Sequence, residues 1–160
     1  MTLPSLLVYE DEEQYHDHFK REYCCKSIIT FDGIRVYFDP ARFYHAFYES
    51  SDMRGSKDVF SLVRAQRMSW IKITLESAHA ALYQGWDSKK GKYDPTTRVC
   101  VEYEQFVVVI QIMVKNNSDL KGKFVTCYQA DRSIWKIRRA PRWKKEDFIE
   151  SVTSEKKKGR

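Results

Sequence analysis

Long apolar runs are missing from this 160-residue chain. The longest near-apolar stretch, residues 106–114, covers nine positions and contains Gln111. That is under half of the ~20 residues a bilayer-spanning helix needs, so a membrane span is excluded and no membrane partner is expected. The start, Met1-Thr2-Leu3-Pro4-Ser5, has no basic region followed by an apolar one, so no secretion signal is expected. The four cysteines (Cys24, Cys25, Cys100, Cys127) then read as reduced thiols of a cytoplasmic protein. Glycine and proline are scarce, at six and four. Gly-x-Gly-x-x-Gly, a phosphate loop, His-Glu-x-x-His and Cys-x-x-Cys are all absent, which argues against dinucleotide chemistry and nucleotide hydrolysis. His16-x-His18 with Cys24-Cys25 is a poor zinc set, because adjacent cysteines do not suit one ion on regular structure. No cofactor or metal is expected.

Aromatic residues are abundant: ten Tyr, nine Phe and four Trp are too much apolar surface to leave hydrated, so extensive disorder is excluded. The length suits one domain, or one domain with a small appendage. Charge is uneven. Residues 132–160 hold eleven basic and four acidic side chains, whereas the first 131 residues hold 17 basic and 18 acidic. The whole net charge of +6 therefore resides in the C-terminal stretch. Such a cluster attracts polyanions, of which nucleic-acid phosphate is the expected one. Lys156-Lys157-Lys158 alone reads as a solvated tail. Arg138-Arg139-Ala140-Pro141-Arg142-Trp143-Lys144-Lys145 embeds an aromatic among cations, so Arg138, Arg139, Arg142 and Trp143 are candidate RNA-binding residues.

Tyr15, Phe19 and Tyr23 recur every fourth residue and predict a helix with acids in its first turn. Asp32-Gly33 between two β-rich runs predicts a hairpin, and Asp39-Pro40 then starts a short helix. Residues 50–57 form a polar break. Ser56 is expected to cap one long helix running to about Leu75. Four strands follow, at residues 80–86, 98–103, 106–114 and 123–128, with Asn116-Asn117-Ser118-Asp119 as a turn cluster. Val107-Val108-Val109-Ile110 lacks alternation and so belongs to a central strand covered on both sides. The expected fold class is α+β, with an N-terminal helix–hairpin–helix appendage (1–55), a long helix on a four-stranded antiparallel sheet (56–145) and a basic tail (146–160).

An RNase that works without a metal needs a proton acceptor, a proton donor, cations for the phosphate and a platform for the base. His79, where the long helix meets the sheet, is the candidate for proton transfer. Arg64 and Arg67, three apart on one helical face, are candidates to hold the phosphate. Thr126 and Tyr128 alternate along the last strand and point to one side. Lys90 and Lys92, in the loop 87–97, are placed to close over substrate. Each also has a plain structural reading: His79 ends a helix, the arginines pair with surface acids, and Thr and Tyr are good strand formers.

The segment Arg64-Ala-Gln-Arg67-Met-Ser-Trp70-Ile71, followed by Leu75-Glu-Ser-Ala-His79 and by Phe124-Val-Thr126-Cys-Tyr128, resembles the phage-type nuclease domains of the barnase–EndoU–colicin–RelE superfamily. The resemblance covers residues 57–135. It implies helices on a four-stranded antiparallel sheet, metal-independent RNA cleavage, and a toxin restrained by a cognate inhibitor or antitoxin; the function expected from residues and resemblance together is an endoribonuclease acting by 2′-hydroxyl attack, a toxin or mobile-element effector. Arg67, His79, Thr126 and Tyr128 fall where that pattern places functional groups. Two other readings stay open: a non-catalytic nucleic-acid-binding module, and a protein-interaction regulator of phage or plasmid origin.

Overall fold

The computed structural model describes residues 2–52, 55–115 and 119–158, with side chains described as far as residue 154. The turn cluster at 116–118 and the side chains of Lys156, Lys157 and Lys158 lie outside what is described. The chain is mixed α+β. Helix α1 (Glu12–Phe19) starts at Asp11, whose carboxylate accepts the Gln14 N–H at 2.9 Å, while Gln14 Oε1 accepts the Glu10 N–H at 2.7 Å. These contacts satisfy amide donors that a helix start leaves open. A π turn, Lys20–Cys24, continues it, so that Tyr15, Phe19 and Tyr23 are all buried.

Strands β1 (Ile28–Ile29) and β2 (Arg35–Tyr37) pair antiparallel around Asp32-Gly33, with Gly33 at φ 91°. A 3₁₀ turn (Pro40–Arg42) capped by Asp39 leads into the one-turn helix α2 (Phe43–Ala46). β3 (Tyr48–Glu49) and β4 (Val59–Phe60) form a separate two-stranded ribbon. Helices α3 (Leu62–Gln66) and α4 (Trp70–Glu76) follow. The main strands are β5 (Ala81–Asp87), β6 (Lys92–Tyr103), β7 (Phe106–Lys115) and β8 (Asp119–Gln129), and α5 (Ile134–Arg138) and α6 (Lys145–Lys158) close the chain.

Two expectations are corrected here. The sheet has six strands rather than four, in the order β1-β2-β8-β7-β6-β5. The N-terminal hairpin completes it because β2 pairs parallel with the open edge of β8 through Arg35–Lys121, Val36–Gly122 and Tyr37–Lys123. Val36, fully buried, thereby joins the core. The long helix is also broken. Val59 and Phe60 are strand, and Ser61 rather than Ser56 caps α3, its Oγ accepting the Arg64 N–H at 3.3 Å. Ala65, Met68 and Ile71 recur every third residue, and all are buried. That spacing suits the tighter i→i−3 turns seen there: Met68 N–H bonds Ala65 O, and Ile71 N–H bonds Met68 O.

The sheet has two unequal faces. One carries a large core that joins Tyr15, Phe19, Phe43 and Phe47 of the N-terminal segment to Phe106, Ile110 and Phe124 of the sheet. The other carries a small cluster of Val107, Val109, Val125 and Ala130, covered by Ile134 and Ile137 of α5. Strand β7 is thus covered on both sides. Glu104 and Gln105, both at positive φ, make the tight β6–β7 turn. Residues 145–158 are helical, and Phe148 packs into the core against Trp143.

Candidate active site

The site grows from an irregularity in β8. Ile110 pairs with Phe124 and Val109 with Thr126, so Val125 is one extra residue between them. Regular alternation would place Thr126 and Tyr128 on Phe124's side, inside the aromatic core. The bulge instead moves both to the thin face, where Thr126 lies opposite Val109 and Tyr128 opposite Val107. β2 pairs with β8 only as far as Lys123. Past that point Arg42 takes over the edge: its Nε and Nη2 donate to the Val125 carbonyl at 3.3 and 2.9 Å.

Arg42 and His45 are three apart across the 3₁₀ turn and α2, which pack against β8. The open carbonyls at the end of α2 draw in further cations. Lys57 Nζ donates to His45 O at 2.9 Å, and Arg64 Nη1 donates to Ala46 O at 3.3 Å. Arg64 also pairs with Glu49 at 3.4 Å and is only 20% exposed. Burial, then the charges of Lys57, Arg42, Arg98 and Arg64, push the His45 imidazole down to about 4, so it is neutral at physiological pH. Lys57 is itself held below the usual lysine range by burial and by Arg64 and Arg42. Arg42 is lowered by burial and by Arg98. Cations that depress one another in this way describe a place where an anion would be stabilised.

The β8 groups complete the arrangement. Burial pushes the Tyr128 phenol up to about 12, with a smaller opposing effect from Arg64, so it remains a proton donor at neutral pH. Thr126 Oγ1 is buried and takes no hydrogen bond among the described residues. An unpaired buried hydroxyl is costly, and a ligand oxygen would satisfy it. The Cys127 thiol, pushed up to about 12 by burial, stays protonated and is no nucleophile.

The residues expected from sequence are divided by the fold. Arg64 joins this arrangement, its charge reaching both His45 and Tyr128, and Thr126 follows Val125, whose carbonyl Arg42 holds. His79 does not join it: it is exposed in the turn between α4 and β5, its N–H bonded to Ser77 Oγ. The row Ala81–Glu102–Val107–Tyr128 crosses the sheet, so Ala81 is three strand spacings, about 14 Å, from Tyr128, and His79 precedes it. Arg67 donates to Val63 O at 2.8 Å and lies 5.1 Å over the Trp70 ring. Lys90 pairs with Asp94 at 2.8 Å, and Lys92 is exposed at the start of β6. Arg138 pairs with Glu102 at 2.6 Å, and Arg139 and Arg142 lie over Trp135 and Tyr83. Trp143 is corrected outright as a stacking platform: it is 5% exposed, and its indole N–H donates to Pro95 O.

Sequence reasoning missed His45. The signal available was Arg42-x-x-His45, a cation and an imidazole at helical spacing, but Lys57 and Arg98 reach it only through the tertiary fold. Comparison of the chain with protein-family models, curated proteins and solved structures finds no match.

Proposed function

We propose that the chain is an endoribonuclease that cleaves RNA by 2′-hydroxyl attack, with its centre at His45 on the edge of β8. One observation supports this reading above the others: a neutral imidazole under the charges of Arg42, Lys57, Arg64 and Arg98, with Arg42 held on the carbonyl that precedes the unpaired Thr126 hydroxyl and Arg64 acting on the protonated Tyr128 as well. His45 accepts the 2′-hydroxyl proton as the 2′-oxygen bonds to phosphorus. The cations stabilise the charge that builds on the pentacovalent phosphate, and Thr126 donates to one of its oxygens. The bond to the 5′-oxygen breaks, and Tyr128 supplies that oxygen's proton. The products are a 2′,3′-cyclic phosphate and a 5′-hydroxyl. The imidazolium and the phenolate then return to their starting states through solvent. The negative phosphodiester offsets the local positive charge and raises the basicity of His45 when substrate is in place. An inhibitor or antitoxin protein as partner belongs to the same proposal.

The test is incubation of the purified protein with RNA in EDTA, followed by analysis of the termini. Cyclic phosphate ends that disappear with His45→Ala support the assignment. Cleavage that survives His45→Ala but is lost with His79→Ala would return the proton-transfer role to His79. Arg64 is already engaged by Glu49 and Ala46 O, which favours a second reading, a nucleic-acid-binding module without turnover. Salt-sensitive RNA binding with no cleavage would establish that reading in place of the first.

A further inference from the structure

The thin face of the sheet also carries a cleft of about 520 Å³ between the β5–β6 hairpin and α5. Its floor and walls include Tyr83, Trp86, Tyr93, Tyr128, Lys136 and Arg139. Four aromatic rings and two cations line this one opening: Tyr83 is buried at its base, whereas Trp86 stands open to solvent, which is uncommon for so large a ring. Trp86 is 57% exposed, and the only ring contact it makes among the described residues is an edge-on one with Tyr93 at 5.1 Å. Its position is imposed by the backbone. Gly85 packs so closely on β6 that a Cβ there would come within 2.8 Å of Arg98 O, at the point where the β5–β6 register shifts. On the opposite side, α5 exposes Trp135 (53%) with Arg139 4.7 Å over its ring and Lys136 at 5.6 Å. Arg142 lies 4.9 Å over Tyr83.

We propose that this cleft is a stacking subsite for the unpaired bases of single-stranded RNA, adjoining the phosphate-handling centre through Tyr128. The inference deepens the nuclease reading by assigning where the strand is held, and it rests on that reading for the subsite's place beside a cleavage centre. The chemistry of the lining selects the ligand. Aromatic faces accept any base by stacking, Lys136 and Arg139 neutralise the phosphates between bases, and a cleft of this volume encloses a nucleoside-sized group. A duplex keeps its bases stacked on one another and offers the cleft nothing to receive. Tyr128 reaches both places: it lines the cleft, and its phenol feels the charge of Arg64.

The test uses a fluorescein-labelled 2′-O-methyl RNA octamer, which lacks the attacking hydroxyl and so reports binding without cleavage. Fluorescence anisotropy at fixed salt is expected to show affinity falling about tenfold in Trp86→Ala and in Arg139→Ala, with Trp86→Phe restoring most of the loss. The same octamer annealed to its complement is expected to bind at least tenfold more weakly than the single strand. Trp86 is exposed, so the variant folds, and its far-UV circular dichroism checks this. Unchanged affinity in Trp86→Ala and Arg139→Ala, equal affinity for the duplex, or no binding by the wild-type protein would each overturn the subsite. The two proposals fail separately. Loss of cleavage in His45→Ala with octamer binding intact supports both, whereas octamer binding that depends on Trp86 in a wild-type protein that cuts no RNA retains the subsite and removes the nuclease.

Discussion

The two faces of the sheet are built from different materials. On one, Phe19, Phe38, Phe43, Phe47 and Phe124 pack ring against ring, with centroids 5.0–6.2 Å apart, and the polar groups are few. On the other, a handful of valines and the five-residue helix α5 cover only part of the sheet, leaving cations, exposed tryptophans and an unsatisfied hydroxyl. The packed face holds the fold together by burial and dispersion. Unpaired polar atoms occur on both sides, Thr74 Oγ1 of α4 behind the packed face and Thr126 Oγ1 on the thin one, but only the thin face sets its hydroxyl beside a cleft and exposed cations. Val125, the bulged residue, decides which β8 side chains go to which face.

This contrast is open to direct attack. The largest effect is expected from His45→Ala, which should lower RNA cleavage by about two to four orders of magnitude, the range for a lost proton-transfer group. Thermal unfolding of the same variant should be nearly unchanged. Phe124→Ala strikes the opposite face, stacked on Phe38 at 5.0 Å, and is expected to lose about 3–5 kcal/mol in urea unfolding. Thr126→Val should reduce cleavage about tenfold while changing stability by less than about 1 kcal/mol, since the hydroxyl removed is unpaired. If Thr126→Val destabilised as strongly as Phe124→Ala, the division of labour between faces would be wrong.

A pH experiment sharpens the same point. The folded-state pKa of His45, about 4, lies below its ordinary 6.5. Between those values the unfolded chain binds the extra proton, so stability declines as pH falls from about 6.5 towards 4, and His45→Gln removes that contribution. Imidazole resonances in NMR should show His45 titrating near 4, and Lys57→Gln or added inorganic phosphate should move that titration upward. An unmoved value near 6.5 would refute the cationic setting. The smallest effect is assigned to the far edge: His79→Ala is expected to leave cleavage within about twofold of the parent, the usual reach of a surface substitution.

Much of the strand pattern is readable from residue order, because β-branched runs such as Val107-Val108-Val109-Ile110 specify a covered strand by themselves. The alternation that pairs Thr126 with Tyr128 is also local. What could not be read are the events decided by distant partners. Nothing near Val36 announces that β2 will pair with β8. Nothing in Val59-Phe60 distinguishes a strand from the first turn of a helix until Tyr48 and Glu49 lie alongside. Trp143 reads as a stacking platform because its cationic neighbours are visible in sequence, whereas Pro95, which its indole binds, is not adjacent to it. His45 escapes a sequence reading for the same reason, since three of its four cations, Lys57, Arg64 and Arg98, come from later parts of the chain.

The parallel pairing of Val36 with Gly122 has a consequence for how the protein comes into being. A contact between segments so far apart in sequence closes slowly and cannot close at all until β8 has been synthesised. Arg42 and His45 are made early, Thr126 and Tyr128 late, and the bulge carbonyl that fastens Arg42 belongs to the late part. A ribosome translating this message therefore carries a nascent chain with no assembled centre. The hazard a ribonuclease would pose to the machinery producing it begins only once the last strand has emerged and the two ends have met.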